Sequence, residues 1–114
     1  MRRVNLTAGD VLFEKGEAAS DAYLIMDGTI EISSDVLAVD LGKDELFGES
    51  GLVGSTRQAS ARAKTDCRLF AISVDELRHA IRSEPDTAVR LVEAVIRRLN
   101  YTIHELEKAQ RLIS

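Results

Sequence analysis

Phe47-Gly48-Glu49-Ser50-Gly51-Leu52-Val53-Gly54-Ser55-Thr56-Arg57-Gln58-Ala59-Ser60-Ala61 is the stretch on which the reading of this 114-residue chain turns. It interrupts a pattern of short apolar segments with small residues, one carboxylate and one guanidinium. Gly48, Ser50 and Gly51 let main-chain N–H groups come close to a ligand, and a short helical turn here aims its N-terminus at an anion. Arg57 can add a bidentate clamp on a phosphate, worth about 1.5–3 kcal/mol per charged hydrogen bond. A carboxylate in the same pocket repels phosphate, so Glu49 is expected to face hydroxyl donors. A phosphorylated sugar meets both demands at once. The same residues also read as a turn with a surface ion pair, and structural glycines punctuate β-proteins that hold no ligand. On local chemistry alone both readings stand.

On either side of this stretch the chain changes character once, near residue 73. Before it, apolar segments recur at 11–13, 23–26, 29–32, 36–41 and 68–72, separated by Ala8-Gly9-Asp10, Lys15-Gly16-Glu17, Asp27-Gly28 and Gly42-Lys43-Asp44. Many short strands with regular turns predict a rolled-up antiparallel sheet. Asp27-Gly28 between two apolar runs reads as a hairpin turn. After residue 73 the pattern is helical. Ser73-Val74-Asp75-Glu76 is a capping box that opens a short helix over 73–83. Ser83-Glu84-Pro85-Asp86 is a break and restart, with proline early in a long helix over 85–113. The expected fold class is therefore mainly β with α (α+β): a single domain over 1–114. It comprises an antiparallel β-roll of the double-stranded β-helix or jelly-roll kind over 1–72, then C-terminal helices, the last one long.

In that last helix Val92, Val95, Leu99, Thr102, Leu106, Ala109 and Ile113 follow spacings of 3, 4, 3, 4, 3 and 4, flanked by Arg97, Arg98, Glu105 and Lys108. This is a heptad seam. A helix of about 28 residues runs about 42 Å, longer than a domain of this size can cover. Val92 and Val95 can pack on the sheet or on a partner. Beyond Leu99 the seam predicts a partner helix, most simply the same helix of a second subunit in a homodimer. Arg97 and Arg98 read as its solvated face.

Composition limits the function classes. Apolar residues are 45% and charged residues 30%, as in an ordinary globular domain. No apolar run spans a bilayer, and Met1-Arg2-Arg3 is not followed by a signal-peptide core, which fits a cytoplasmic protein without a membrane role for this segment. The net charge of −4 argues against nucleic-acid binding by this segment. Cys67 is the single cysteine, and His79 and His104 are the only histidines. No disulfide can form within the chain, Cys67 has no neighbouring base, and no metal site or catalytic residue is expected. A metalloenzyme of the cupin kind shares a β-roll but needs several histidines there, and residues 1–72 contain none.

The stretch 47–61 resembles the phosphate-binding cassette of cyclic-nucleotide-binding domains: Phe-Gly-Glu, a few apolar residues, then Arg-x-Ala. The resemblance extends to Leu6-Thr7-Ala8-Gly9-Asp10-Val11-Leu12-Phe13 with Gly16-Glu17, to Tyr23-Leu24-Ile25-Met26-Asp27-Gly28 and to Arg62-Ala63-Lys64-Thr65. Within the family the chain is similar to the effector domains of bacterial catabolite activators, which bind cyclic AMP. The resemblance implies a regulatory domain rather than an enzyme, with no cofactor and with cyclic AMP, or cyclic GMP, as ligand. It implies that Glu49 accepts the ribose 2′-hydroxyl and that Arg57 pairs with the cyclic phosphate. The N–H groups near Gly48, Ser50, Gln58 and Ala59 would complete the cradle. Thr102, the one polar residue on the seam, matches a threonine that reads the adenine amino group.

The chain departs from the family pattern at four places. Ser50 stands for a large aliphatic residue, Thr56 for a frequent proline, Gln58 for a small phosphate-binding residue, and Ile103 for a serine that reaches adenine from the partner subunit. Ser50 and Gln58 keep an alternative in view, in which the fold serves only dimerisation or protein interaction. No DNA-binding helix-turn-helix follows the last helix, so the expectation is a free-standing sensor or the sensing part of a regulator, channel or enzyme.

Overall fold

The turns that punctuate the first part of the chain cut it into eight strands in the computed structural model, which describes residues 2–52 and 54–113. They are β1 (Arg2–Leu6), β2 (Val11–Phe13), β3 (Ala22–Asp27), β4 (Ile30–Ser33), β5 (Ala38–Leu41), β6 (Leu46–Phe47), β7 (Ser60–Ala63) and β8 (Cys67–Ile72). A 3₁₀ turn, Glu49–Leu52, lies between β6 and β7, and helices α1 (Val74–Ser83) and α2 (Pro85–Ile113) follow. The strands form two antiparallel sheets in the orders β1-β8-β3-β6 and β2-β7-β4-β5. This is the α+β fold expected, a β-roll followed by two helices.

Alternation along the strands divides the apolar residues between two layers. In β3, Ile25 joins Phe13, Ile30, Leu41, Phe47, Ala61 and Leu69 between the sheets, with Tyr23 packed against them. Ala22 and Leu24 point the other way, toward Leu46, Ile72 and Ala94 of α2. A buried side chain of Leu, Ile or Phe size contributes about 1.5–3 kcal/mol, so the layer between the sheets carries most of the stability.

Asp27-Gly28 is not a hairpin. β3 lies in the first sheet and β4 in the second, β3 pairing with β8 and β4 with β7, so the β3–β4 and β7–β8 connections cross between the sheets side by side. Gly28, at φ +94°, sits where they meet: a Cβ there would be 2.7 Å from Cys67 Sγ and would overlap the Asp66 carbonyl. A close crossing of two chain segments, rather than a two-residue turn, is what demands glycine at this corner. The hairpin is β4–β5, closed by the Ser34 N–H donating to the Leu37 carbonyl at 2.8 Å, and Val36 and Leu37 are exposed at its tip. The expected strand over 36–41 thus begins two residues later, at Ala38.

Ser73 caps α1 as its sequence predicts, its Oγ accepting from the Glu76 N–H at 3.1 Å. α2 docks through Ala94, which is 1% exposed and whose small side chain lets the helix approach the sheet. Val92 and Val95 are left 57% and 37% exposed, and Leu99 and Leu106 are exposed as well. The side chains of Thr102 and Ile113 on this helix lie outside the described residues, as does that of Ser50. Among the described residues no helix is long and apolar enough to cross a membrane. No group of three or more His, Cys, Asp or Glu that could hold a metal is found among them either.

Candidate ligand-binding site

β6 ends at the fully buried Phe47, and the chain leaves the sheet through Gly48 at φ +72° into the 3₁₀ turn, which the Gly51 N–H closes by donating to the Gly48 carbonyl at 3.1 Å. Glu49, half-buried, is the first residue of that turn. The chain returns through Thr56, which bridges to Ala18, and Arg57, whose N–H donates to the Glu17 carbonyl at 2.8 Å. The Gly16 N–H in turn donates to the Arg57 carbonyl at 2.9 Å, so the main chain of Arg57 is held from both sides.

The Arg57 side chain is only 5% exposed. Nη1 donates to the Gly48 carbonyl and Nη2 to the Asp21 carbonyl, each at 2.9 Å. The guanidinium lies 4.0 Å from the centre of the Phe13 ring and 5.7 Å from that of Tyr23; Tyr23 stacks with both Phe13 and Phe47, and Phe13 lies tilted against Phe47, so the three rings form one aromatic floor. Nε is buried without a hydrogen-bond partner among the described residues. Burying a guanidinium is costly unless it is fully paired, and cation–π contact with two rings recovers only part of that cost. Both acceptors are neutral carbonyls. Neither of these partners of the guanidinium among the described residues is therefore a carboxylate. Burial pushes the Tyr23 phenol above its ordinary value of 10.0, with the Asp21 carboxylate adding to the effect, so it stays neutral beside the guanidinium.

Space as well as charge is fitted here. A Cβ on Gly48 would stand 2.8 Å from Arg57 Nη1, and one on Gly51 would overlap the main chain of Asp21. Glycine at 48 and 51 thus admits the arginine and the β3 entry to the cassette. Of the residues singled out in the sequence, Gly48 and Arg57 meet directly. Glu49 follows Gly48, while Gln58 is exposed and Ala59 half-buried beyond Arg57.

Phe13, Asp21 and Tyr23 complete the seat and are not legible in the sequence. Asp21 is 36 positions from Arg57, and the two are brought together by the pairing of β3 with β6, Tyr23 opposite Phe47, and by the main-chain contacts of residues 16–19 with 55–57. Arg97 is exposed, as expected of a solvated face, and its Nη2 also donates to the Asp44 carbonyl at 3.1 Å. That contact joins α2 to the turn leading into β6, beside a cleft of about 390 Å³ lined by Lys43, Asp44, Glu45, Arg97 and Tyr101.

Comparison with known proteins agrees with this fold. The cAMP-activated global transcriptional regulator CRP of Haemophilus influenzae is 31% identical over 107 residues, covering 87% of this chain and 48% of that protein. The structure of the c-di-GMP-responsive global regulator CLP of Xanthomonas campestris superposes with a TM-score of 0.78 at 25% identity, covering 97% of this chain and 58% of that one. The catabolite activator protein of Thermus thermophilus gives a TM-score of 0.72 at 28% identity, covering 96% and 55%. The chain thus spans about half the length of the curated relatives it matches. The family described as cyclic nucleotide-binding domain matches residues 3–84, which include every strand after the first residue of β1, the cassette and α1. With the fold, the cassette and this match in agreement, the chain belongs to the cyclic nucleotide-binding domain family.

Proposed function

We propose that this domain binds a cyclic nucleotide, cyclic AMP by preference, and passes the binding event to α2 as a regulatory signal, with no catalysis of its own. The observation that carries the reading is Arg57: a buried guanidinium held by two neutral carbonyls, its Nε without a partner among the described residues, behind the Gly48–Glu49 turn. A cyclic phosphate supplies the missing negative charge. In this reading Glu49 accepts the ribose 2′-hydroxyl, and the N–H groups around Gly48, Ser50, Gln58 and Ala59 surround the phosphate oxygens. Thr102 on α2 reads the adenine amino group. Ligand then favours the arrangement in which α2 and the cassette meet, a population shift whose size is set by the difference in affinity between the two helix positions. The setting is cytoplasmic, and this segment itself needs neither nucleic acid nor membrane.

The exposed row Val92, Val95, Leu99 and Leu106 supports a homodimer through α2, in which the heptad register would set Thr102 beside the interface. Sedimentation is expected to find a dimer, and Leu99→Glu with Leu106→Glu a folded monomer. A charged pair that leaves the dimer intact would remove the seam from the account.

The binding reading is tested by thermal unfolding with cyclic AMP, cyclic GMP and cyclic di-GMP. A ligand at a hundred times its Kd stabilises the folded chain by about 2.7 kcal/mol, so the true ligand raises Tm and the others do so only at higher concentration. A folded, dimeric chain whose Tm none of the three moves would be a dimerisation module instead. Thr102→Val should reduce the preference for cyclic AMP over cyclic GMP about three- to tenfold, the worth of one neutral hydrogen bond, without dissociating the dimer. Unchanged selectivity would take base reading away from Thr102.

A further inference from the structure

The end of the first sheet at which β3 begins is also where β1 begins and β8 ends: Arg2 pairs with Ala71 and Ala22 with Ile72. The chain leaves β8 there, through Ser73, directly into α1. Three side chains gather at this end. The Asp21 carboxylate, 15% exposed, accepts from Arg2 Nη2 at 2.7 Å. Arg2 Nε donates to Glu76 Oε1 at 3.1 Å, and Nη2 lies 3.1 Å from the same oxygen. Glu76 is in the first turn of α1, the turn that Ser73 caps.

Asp21 is the joint of this arrangement. Its carboxylate holds Arg2, while its main-chain carbonyl holds Arg57 Nη2, and its main chain leaves no room for a Cβ on Gly51. A group that takes Arg57 Nη2 away from the Asp21 carbonyl must leave that carbonyl unpaired or move it. The Gly51 turn lies so close to the Asp21 main chain that a Cβ there would overlap it, which leaves the carbonyl little room to shift toward the cassette. α1 in turn runs into α2, the Glu84 N–H closing its last turn on the Ala80 carbonyl at 2.7 Å one residue before Pro85.

We infer that Arg2 is a positioning residue that couples the Arg57 anion seat to the start of α1 through Asp21. A single surface ion pair between groups this exposed is worth little, and the inference rests on the shared joint rather than on the strength of any one contact. It deepens the proposed function by naming a route to the helices. Its ligand arm depends on that reading, but the arm that needs no ligand does not.

The test is a double-variant cycle on the whole chain without ligand, comparing wild type, Arg2→Met, Arg57→Lys and the double variant by urea unfolding. If the two arginines act through Asp21, the unfolding constant of the double variant departs from the product of the single effects by about threefold or more. Simple multiplication overturns the inference. Should Arg57→Lys fail to fold, Phe13→Leu takes its place, because it removes the ring 4.0 Å from the guanidinium. In the second arm, amide hydrogen exchange over residues 74–77 is followed with and without cyclic AMP. Wild type is expected to show a ligand-dependent change in protection there, and Arg2→Met to lose it while still binding. The same change in both proteins, or binding by wild type with no change at α1, contradicts the coupling. If wild type binds no cyclic nucleotide, the proposed function fails and the ligand-free cycle still decides the coupling.

Discussion

Arg57→Ala is expected to lower cyclic-nucleotide affinity by about a hundredfold to ten-thousandfold. Two charge-assisted hydrogen bonds to phosphate at about 1.5–3 kcal/mol each give about 3–6 kcal/mol, and every 1.4 kcal/mol is tenfold in Kd. The same change leaves the carbonyls of Gly48 and Asp21 without their donors, a cost of about 1–3 kcal/mol for each one kept from water. Truncation also removes a buried charge, which offsets part of that loss. Binding should therefore suffer far more than folding. Arg57→Lys keeps the charge but not the planar fork, and should fall between wild type and the alanine variant. Calorimetry on folded protein, with circular dichroism to establish the fold, separates the two effects. Near wild-type affinity in a folded Arg57→Ala variant would take the phosphate away from this residue.

Gly51→Ala is expected to be the most damaging single-methyl change in the cassette. Its Cβ would overlap the main chain of Asp21, and backbone cannot yield as a flexible side chain does. Overpacking of this kind costs about 1–3 kcal/mol or more. For a domain near this size that is a fall in Tm of about 5–20 °C. Gly42→Ala is the matched control, because nothing lies within 4 Å of its Cβ and its φ is not in the left-handed region. It should melt within a few degrees of wild type. The cassette variant should also bind more weakly, since the methyl pushes apart the turn carrying Glu49 and the strand entry that holds Arg57. Equal melting of the two variants would mean that the 3₁₀ turn does not press on β3.

The parts of this molecule that the sequence makes legible are those written in local chemistry. Turn residues delimit the strands, Ser73 and Glu76 mark a helix start, and Pro85 marks the next. The spacing from Phe47 to Ala59 carries the cassette. What could not be read locally depends on which strands become neighbours. Asp27-Gly28 has the composition of a hairpin turn, yet its glycine is required by another segment of the chain, at Asp66 and Cys67, crossing the same corner. Phe13, Asp21 and Tyr23 carry no local mark of a binding seat, and reach Arg57 only through the closing of the roll. On α2 the heptad directs attention to Val92 and Val95, whereas the sheet is met by Ala94, one position off that seam. An alanine in a helix carries little signal of its own. Its value here is its smallness, which matters only once Leu24, Leu46 and Ile72 are in place beneath it.

The most direct test of the central claim is isothermal titration of the purified chain with cyclic AMP and, separately, with cyclic GMP. The account predicts saturable binding near one ligand per chain, tighter for cyclic AMP, and weakened by about a hundredfold or more in Arg57→Ala. No heat with either nucleotide from a folded chain, together with an unshifted Tm, would contradict it and leave the buried guanidinium as a structural clasp between β3 and the cassette.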